Sequence, residues 1–371
     1  MSSDSNFNEK HLNYWVALSC FPKFGPVRFK KIISYFPSMK SAWQASLIEL
    51  ESAGIDYNTA TEFIQERSKI NPDAETEKLM AENIKIVTIQ DIDYPALLKE
   101  MPDAPPLLYY KGNLNCVKQF CLSVVGSRKY TSYGKQAVEK LVSQLAEVGM
   151  TIVSGLALGI DALAHESALQ VNGSTAAILG SGINQSSIYP RANVNLAARI
   201  LAQDGLLLTE FPYGTPALKH HFPQRNRIVA GLSLGTLIIE ATEKSGALIT
   251  ARLALDYNRE VFAVPGSIFS TNSQGTNKLI QKNGAQLANS ADTILETLAI
   301  ENIQASKQVQ KIIPDNPTEL QLMEILNHEP VHINTLARLT KLDTATINAT
   351  LITMELKGYA RNMDGGNYVL S

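Results

Sequence analysis

Residues 211–239, FPYGTPALKHHFPQRNRIVAGLSLGTLII, contain no Asp or Glu and place Lys219, His220, His221, Phe222, Arg225, Asn226 and Arg227 within nine positions, just ahead of an apolar run. Cations interleaved with an aromatic ring suit a nucleic-acid strand, because cations meet phosphates while a ring stacks on a base. The same pattern describes a solvated basic helix start that lends one Phe to the core, and the segment alone does not separate the two readings. Four Gly/Ser turns carry a second kind of chemistry: Gly126-Ser127-Arg128, Ser154-Gly155-Leu156-Ala157, Gly180-Ser181-Gly182 and Ser245-Gly246-Ala247. Backbone N–H groups at such turns and at helix starts bind anions, and an arginine there can fork onto a phosphate. A single loop of this kind means little, since tight βα turns use Gly and Ser anyway. Four at the ends of strands point to a polyanion site.

The elements that must position these turns alternate between apolar strands and amphipathic helices. Strands are expected at 122–126, 150–154, 175–179, 206–209, 236–240 and 260–264, and a helix at 133–148 with Tyr133, Ala137, Leu141, Leu145 and Val148 on one stripe. Near-continuous apolar runs imply strands buried on both faces. Repeated βα units imply a doubly wound parallel sheet, whose ligands bind at the carboxyl ends of the strands. The first turn is not GxGxxG and no GxxxxGK[ST] occurs, so a standard dinucleotide or P-loop site is disfavoured. Asp161 and His165 at i, i+4 have the spacing of an acid–base pair. The preferred reading is structural, with the Asp capping its helix and the His packing locally. Glu240, ending an apolar strand, is read as a partner of loop N–H groups in preference to a catalytic carboxylate. No HExxH, zinc spacing or GxSxG is present, so metal and serine-hydrolase chemistry lack support.

Two further blocks flank this one. Residues 1–80 read as helical, with a pair of helices joined at Lys23-Phe24-Gly25-Pro26. Between Lys10 and Ile48 lie Lys23, Arg28, Lys30, Lys31 and Lys40 and no acid. A helix-hairpin-helix contacts DNA backbone through such a turn, although a small helical packing domain is preferred here. Residues 81–298 form the sheet domain, 299–316 a polar linker, and 317–371 three short helices and a hairpin turning at Asp364-Gly365-Gly366, the order of a winged helix. That last block carries Arg338, Lys341, Lys357 and Arg361 against Glu319, Glu324, Glu329, Asp343, Glu355 and Asp364. Such a balance suits protein contact or weak DNA contact better than strong major-groove reading.

Composition sets the outer limits. A chain of 371 residues, 45% hydrophobic and 18% charged, has room for two or three globular domains. Its net charge of −2 means that polyanion binding must use local patches. Cys20, Cys116 and Cys121 are sparse and lack metal spacing, which fits a reducing cytoplasm. Neither a signal peptide nor a membrane span is expected.

Taken together, these strings resemble the DNA-processing protein A family (DprA/Smf). The resemblance rests on VVGSR (124–128), SGLALGIDALAH (154–165), YP (189–190), LLLTEFPYGTP (206–216), HFPQRNRIVAGLS (221–233), EATEKSGALITARLA (240–254), VFAVPGS (261–267) and GTNKLI followed by GA (275–285). It implies an α/β fold, an extended Rossmann-like, mostly parallel doubly wound sheet. Flanking this would be an N-terminal helical domain of helix-hairpin-helix or SAM-like type and a C-terminal winged helix. It also implies a non-catalytic, cofactor-free protein that binds and protects single-stranded DNA. Such a protein loads the RecA recombinase onto strands covered by single-strand-binding protein during natural transformation, and works as a homodimer through the central domain. By resemblance, Arg128 is a phosphate-binding arginine, Lys219 meets backbone phosphate and Phe222 stacks on a base. Gly126, Ser127, Ser154, Gly155 and Gly246 supply backbone or hydroxyl donors. Of Arg225 and Arg227, one contacts DNA and the other is structural, with the choice open. Many members read GLARGID where this chain has Leu158, so any DNA contact of that arginine must be dispensed with here. No recombinase-binding motif can be mapped.

Two other functions compete. Rossmann-like relatives include hydrolases that split nucleotide N-glycosidic bonds, but they carry a Gly-Gly-x-Gly-Thr loop where this chain has Lys244-Ser245-Gly246-Ala247. An adaptor working through its winged helix is the other alternative.

Overall fold

The structure is a computed structural model, and it describes residues 12–299 except 119, and 317–370 except 327–330, 357–359 and 364. The chain divides into two compact units at residues 303 and 304. The expected linker, Ala299 apart, lies outside the described residues.

The first unit is built on nine strands: β1 (Lys85–Thr88), β2 (Leu107–Gly112), β3 (Cys121–Val125), β4 (Thr151–Ser154), β5 (Thr175–Ile178), β6 (Leu206–Thr209), β7 (Gly235–Ile238), β8 (Glu260–Ala263) and β9 (Gln286–Leu287). Their order in the sheet is β1-β2-β6-β5-β4-β3-β7-β8-β9. Every pair from β6 to β9 is parallel, while β1–β2 and β2–β6 are antiparallel. This is a Rossmann-like, doubly wound, mostly parallel sheet. The six strands read from sequence are present, displaced by a residue or two at their ends. Their legibility follows from burial: β3, β4, β5, β6 and β7 are covered on both faces and therefore apolar throughout. Leu122 and Val124 of β3 face the helices Ser132–Glu147 and Ile160–Gln170. Cys121 and Val125 turn to the opposite face, toward His221–Gly231 and Ala247–Asp256. β1, β2 and β9 were not read from sequence; they sit at or near the sheet edges, and β9 is only two residues long.

The N-terminal helices share a core with the sheet. Trp15, Phe21, Phe29 and Phe63 belong to the same buried cluster as Tyr109, Ala177 and Leu207. Ser38, Ser46, Asp56 and Asn71 each cap the helix that follows them. At the helix-pair turn, Lys23 ion-pairs with Glu62, and Arg28 with Asp56 at 3.0 Å. Lys31 donates to the Gly54 carbonyl at 2.7 Å. Three of the five cations in that acid-free stretch are therefore engaged within the block itself.

The second unit is a winged helix. Helices Pro317–Ile325, Ile333–Thr340 and Thr344–Leu356 pack with a three-stranded antiparallel sheet around Leu322, Leu336, Ile347, Leu351 and Met354. Gly365 and Gly366 turn the wing at φ of 63° and 79°, which L side chains rarely adopt. Among the described residues no helix is long and apolar enough to cross a membrane.

Candidate nucleic-acid interface

Chain order reverses around β3. The chain proceeds from β3 outward through β4 and β5, and later returns to place β7 on the other side of β3. The carboxyl ends of β3 and β7 therefore flank a topological switch point, where doubly wound sheets open a crevice. A cavity of about 750 Å³ lies there. Its lining follows the strand order: Phe222 over the end of β5, Ala157 and Asp161 after β4, Gly126, Ser127 and Arg128 after β3, Thr242, Ser245 and Gly246 after β7, and Asn272 after β8. At roughly 4.8 Å between neighbouring strands, five strands span about 19 Å. A groove of that length suits a chain of nucleotides better than one small molecule.

The loops are fixed by groups that the sequence had left ambiguous. Glu240 is buried, and its carboxylate accepts from the Thr131 N–H at 2.9 Å and from the Thr131 hydroxyl. Thr131 in turn caps Ser132–Glu147. Glu240 thus ties the end of β7 to the start of the helix after β3, holding the two sides of the crevice together. It is a structural carboxylate, as preferred on sequence grounds, and does not line the cavity. The turn after β3 is closed by Ser127, whose Oγ accepts from the Lys129 N–H at 3.1 Å and donates to the Lys129 carbonyl at 2.8 Å. The helix after β4 abuts this turn, with the Ile160 N–H donating to the Ser127 carbonyl at 3.1 Å. Gly159 makes the approach possible: it has φ of 89°, and a Cβ there would sit 2.4 Å from the Ser127 carbonyl oxygen.

The floor is a buried charge cluster. Arg225 reaches down from His221–Gly231 to donate to the carbonyls of Gly155 and Ile178. Gly155 makes room for this, since a Cβ there would lie 2.4 Å from the Arg225 guanidinium and would displace it. Burial pulls Arg225 down to about 10, which leaves it cationic at neutral pH, with Asp161 opposing the shift. Burial pushes the Asp161 carboxyl up against the pull of Arg225 and of the Gly155 N–H, which donates to it at 3.1 Å. His165 lies beneath, with Nδ1 2.7 Å from the Thr175 hydroxyl, and burial takes it down to about 3. It is neutral at ordinary pH and not paired with Asp161, so the i, i+4 spacing reflects packing.

The sequence-selected residues therefore separate into groups. Arg128 and Lys219 are exposed, line the cavity and have no carboxylate partner among the described residues. Phe222 is half-buried beside them, its ring centroid 5.9 Å from the Arg128 guanidinium carbon and 5.8 Å from the Tyr189 ring. Gly126 and Ser127 line the cavity, and Gly246 caps Ala247–Asp256 with nothing within 4 Å of where a Cβ would stand. Ser154 and Gly155 are placed otherwise than expected. The Ser154 hydroxyl donates to the Val124 carbonyl at 2.6 Å and the Gly155 N–H to Asp161, so both donors are spent inside the fold. Arg225 reaches the cavity only as part of its floor. Arg227 points elsewhere, ion-paired with Glu210 and donating to the Asp103 carbonyl, and it does not line the cavity. Gly180-Ser181-Gly182 turns inward, its residues buried. Sequence reasoning gave no role to Lys129, Tyr189, Asn226, Ile249 or Asn272, all of which line the cavity. For Tyr189 the Tyr-Pro string was a signal; for Asn272 there was none.

A model of the DNA recombination-mediator protein A family matches residues 85–299, and one of the DprA winged helix domain matches 306–366. Protein Smf of Synechocystis is 35% identical across 96% of this chain and 98% of its own. The X-ray structure of DNA processing protein A from Streptococcus pneumoniae superposes with a TM-score of 0.67 at 38% identity, over 76% of this chain and 97% of that one. DNA processing protein A from Helicobacter pylori, solved to describe its single-stranded DNA binding mode, does so with a TM-score of 0.52 at 33% identity, over 58% of this chain and 96% of that one.

Proposed function

The chain belongs to the DNA recombination-mediator protein A family, and on that premise we propose that the crevice at the β3–β7 switch point binds single-stranded DNA. One observation carries the reading. Arg128 and Lys219, far apart in sequence and without a carboxylate partner among the described residues, converge on one cavity that also presents the Phe222 ring. Two exposed cations beside an aromatic face match a phosphate–base repeat unit. In this reading Arg128 and Lys219 hold phosphates, Phe222 stacks on a base, and the backbone around Gly126, Ser127 and Gly246 offers N–H groups. The solved Helicobacter pylori relative, described by its single-stranded DNA binding, supports the assignment. The protein acts as a binder and not as an enzyme. It protects the bound strand and loads RecA recombinase where single-strand-binding protein would block it, in the cytoplasm during natural transformation. It works as a homodimer through the Rossmann-like domain.

The test is binding of labelled single strands and duplexes over a salt series. Wild-type protein is expected to prefer single strands and to weaken as salt rises. Arg128→Glu should weaken binding to every sequence alike, since a phosphate contact carries no base information. Undiminished affinity in that variant would remove Arg128 from the site. The loading step is tested separately, by RecA filament formation on strands coated with single-strand-binding protein.

A further inference from the structure

The loop between β8 and the helix Gln274–Gln281 carries two large apolar side chains in open solvent: Ile268 is 79% exposed and Phe269 92%. The loop is held firmly from both ends. The Tyr133 hydroxyl donates to the Pro265 carbonyl at 2.6 Å. Gly266 and Asn277 exchange two hydrogen bonds, at 3.1 and 2.9 Å. The Ser270 N–H closes a turn onto the Ser267 carbonyl at 3.0 Å. Beyond the tip, Asn272 donates through Nδ2 to the Lys129 carbonyl at 2.8 Å, and its own carbonyl accepts from the Ala241 N–H at 2.8 Å. A loop anchored at this many points has its tip presented by the fold, and the described residues leave that tip exposed.

Its position gives that tip an occupant. Asn272 and Lys129 line the crevice, and Phe269 stands three residues from Asn272 in the same anchored loop. Within the crevice the stacking surface, Phe222 with Tyr189 beside it, lies at the β5 end. The β7–β8 end is polar, with Thr242, Ser245 and Asn272, and Ile249 is a half-exposed aliphatic side chain there. A strand crossing from the Phe222 end leaves past Asn272 with its next bases unstacked. Lys129, exposed and without a carboxylate partner among the described residues, stands at that exit, and Glu243, next in sequence to Thr242 of the lining, is neutralised by Lys278 at 2.7 Å. We propose that Ile268 and Phe269 form a second base-stacking platform, taking bases of the single strand as it leaves the crevice beyond Asn272. The proposal rests on the reading of the crevice as a single-strand site and adds a track to it. Such platforms tolerate any base, because every base has a π-face.

The experiment compares labelled oligothymidylates of roughly four and roughly sixteen nucleotides, the range that one binding module covers. Four fit within the crevice; sixteen must leave it. Phe269→Ala is expected to bind the short probe within twofold of wild type and the long probe at least about fivefold more weakly, the loss of one stacked base. Phe269→Trp should keep wild-type affinity for both. Arg128→Glu should weaken both probes. Equal loss on both probes, or no loss on the long one, overturns the platform. So does unchanged affinity for the long probe together with altered self-association in sedimentation, which would make the tip a contact between copies. Failure of wild-type protein to bind either probe sinks the crevice reading itself, a result distinct from wild-type binding that Phe269→Ala leaves untouched.

Discussion

Two stretches of this chain look alike in sequence and differ in the fold. Residues 11–48 and 211–239 are both free of acids and rich in cations and aromatics. In the first, Lys23 and Arg28 meet Glu62 and Asp56, carboxylates supplied by a later helix of the same block. In the second, Arg225 is buried beside Asp161 and Arg227 is paired with Glu210, while Lys219 stays exposed, without a carboxylate partner among the described residues, and joins Arg128 from another strand end. An acid-free window is therefore not a positive surface. The local field depends on which carboxylates the fold brings back, and a binding site consists of the cations left over.

That contrast can be broken experimentally. The largest effect is expected from Arg225→Met. It leaves the Gly155 and Ile178 carbonyls without their donor and the buried Asp161 carboxylate without the nearby cation that favours it, a loss of about 3–5 kcal/mol if it matches the removal of one charge from a buried pair. Equilibrium denaturation reads the loss directly. A fully stable variant with weakened DNA binding would instead make Arg225 a contact residue. Next comes Phe222→Ala, expected to lower single-strand affinity by about 1–3 kcal/mol, the worth of a base stacked on an aromatic ring. Measuring its melting temperature alongside separates the two roles of a half-buried ring, since a core Phe would lose stability and keep affinity. The smallest effect is expected at Lys23→Gln. Its ion pair with Glu62 is half-exposed on both sides, so stability should change by no more than about 1 kcal/mol and single-strand affinity by less than about twofold. A clear loss of binding there would make the N-terminal turn a second DNA contact and erase the distinction between the stretches.

Much of the frame was legible in the sequence. Six strands could be located because burial on both faces requires an apolar residue at nearly every position. The winged helix could be located because its three helices and Gly-Gly turn follow one another in order. Glu240 was read as a partner of loop N–H groups, and the structure places it on Thr131. What escaped was either short or non-local. Strand β9 has two residues, too few for a pattern. Asn272 joins the crevice through a loop, GSIFSTNS, whose sequence has no periodicity or motif that points to a site. Ser154 and Gly155 looked like phosphate donors, and only the neighbours that claim their hydrogen bonds, Val124 and Asp161, reveal them as internal supports.

The sequence by itself determined the architecture, the family and the set of residues from which a site could be drawn, because periodicity, turn chemistry and motif order are properties of neighbouring positions. Only the tertiary structure decided which of those residues face a ligand. Arg227 is neutralised by Glu210 and Asp103, the latter 124 positions away, and Arg128 meets Phe222 across nearly a hundred. Hydrogen-bond satisfaction and charge pairing act through space, and distance along the chain does not measure them.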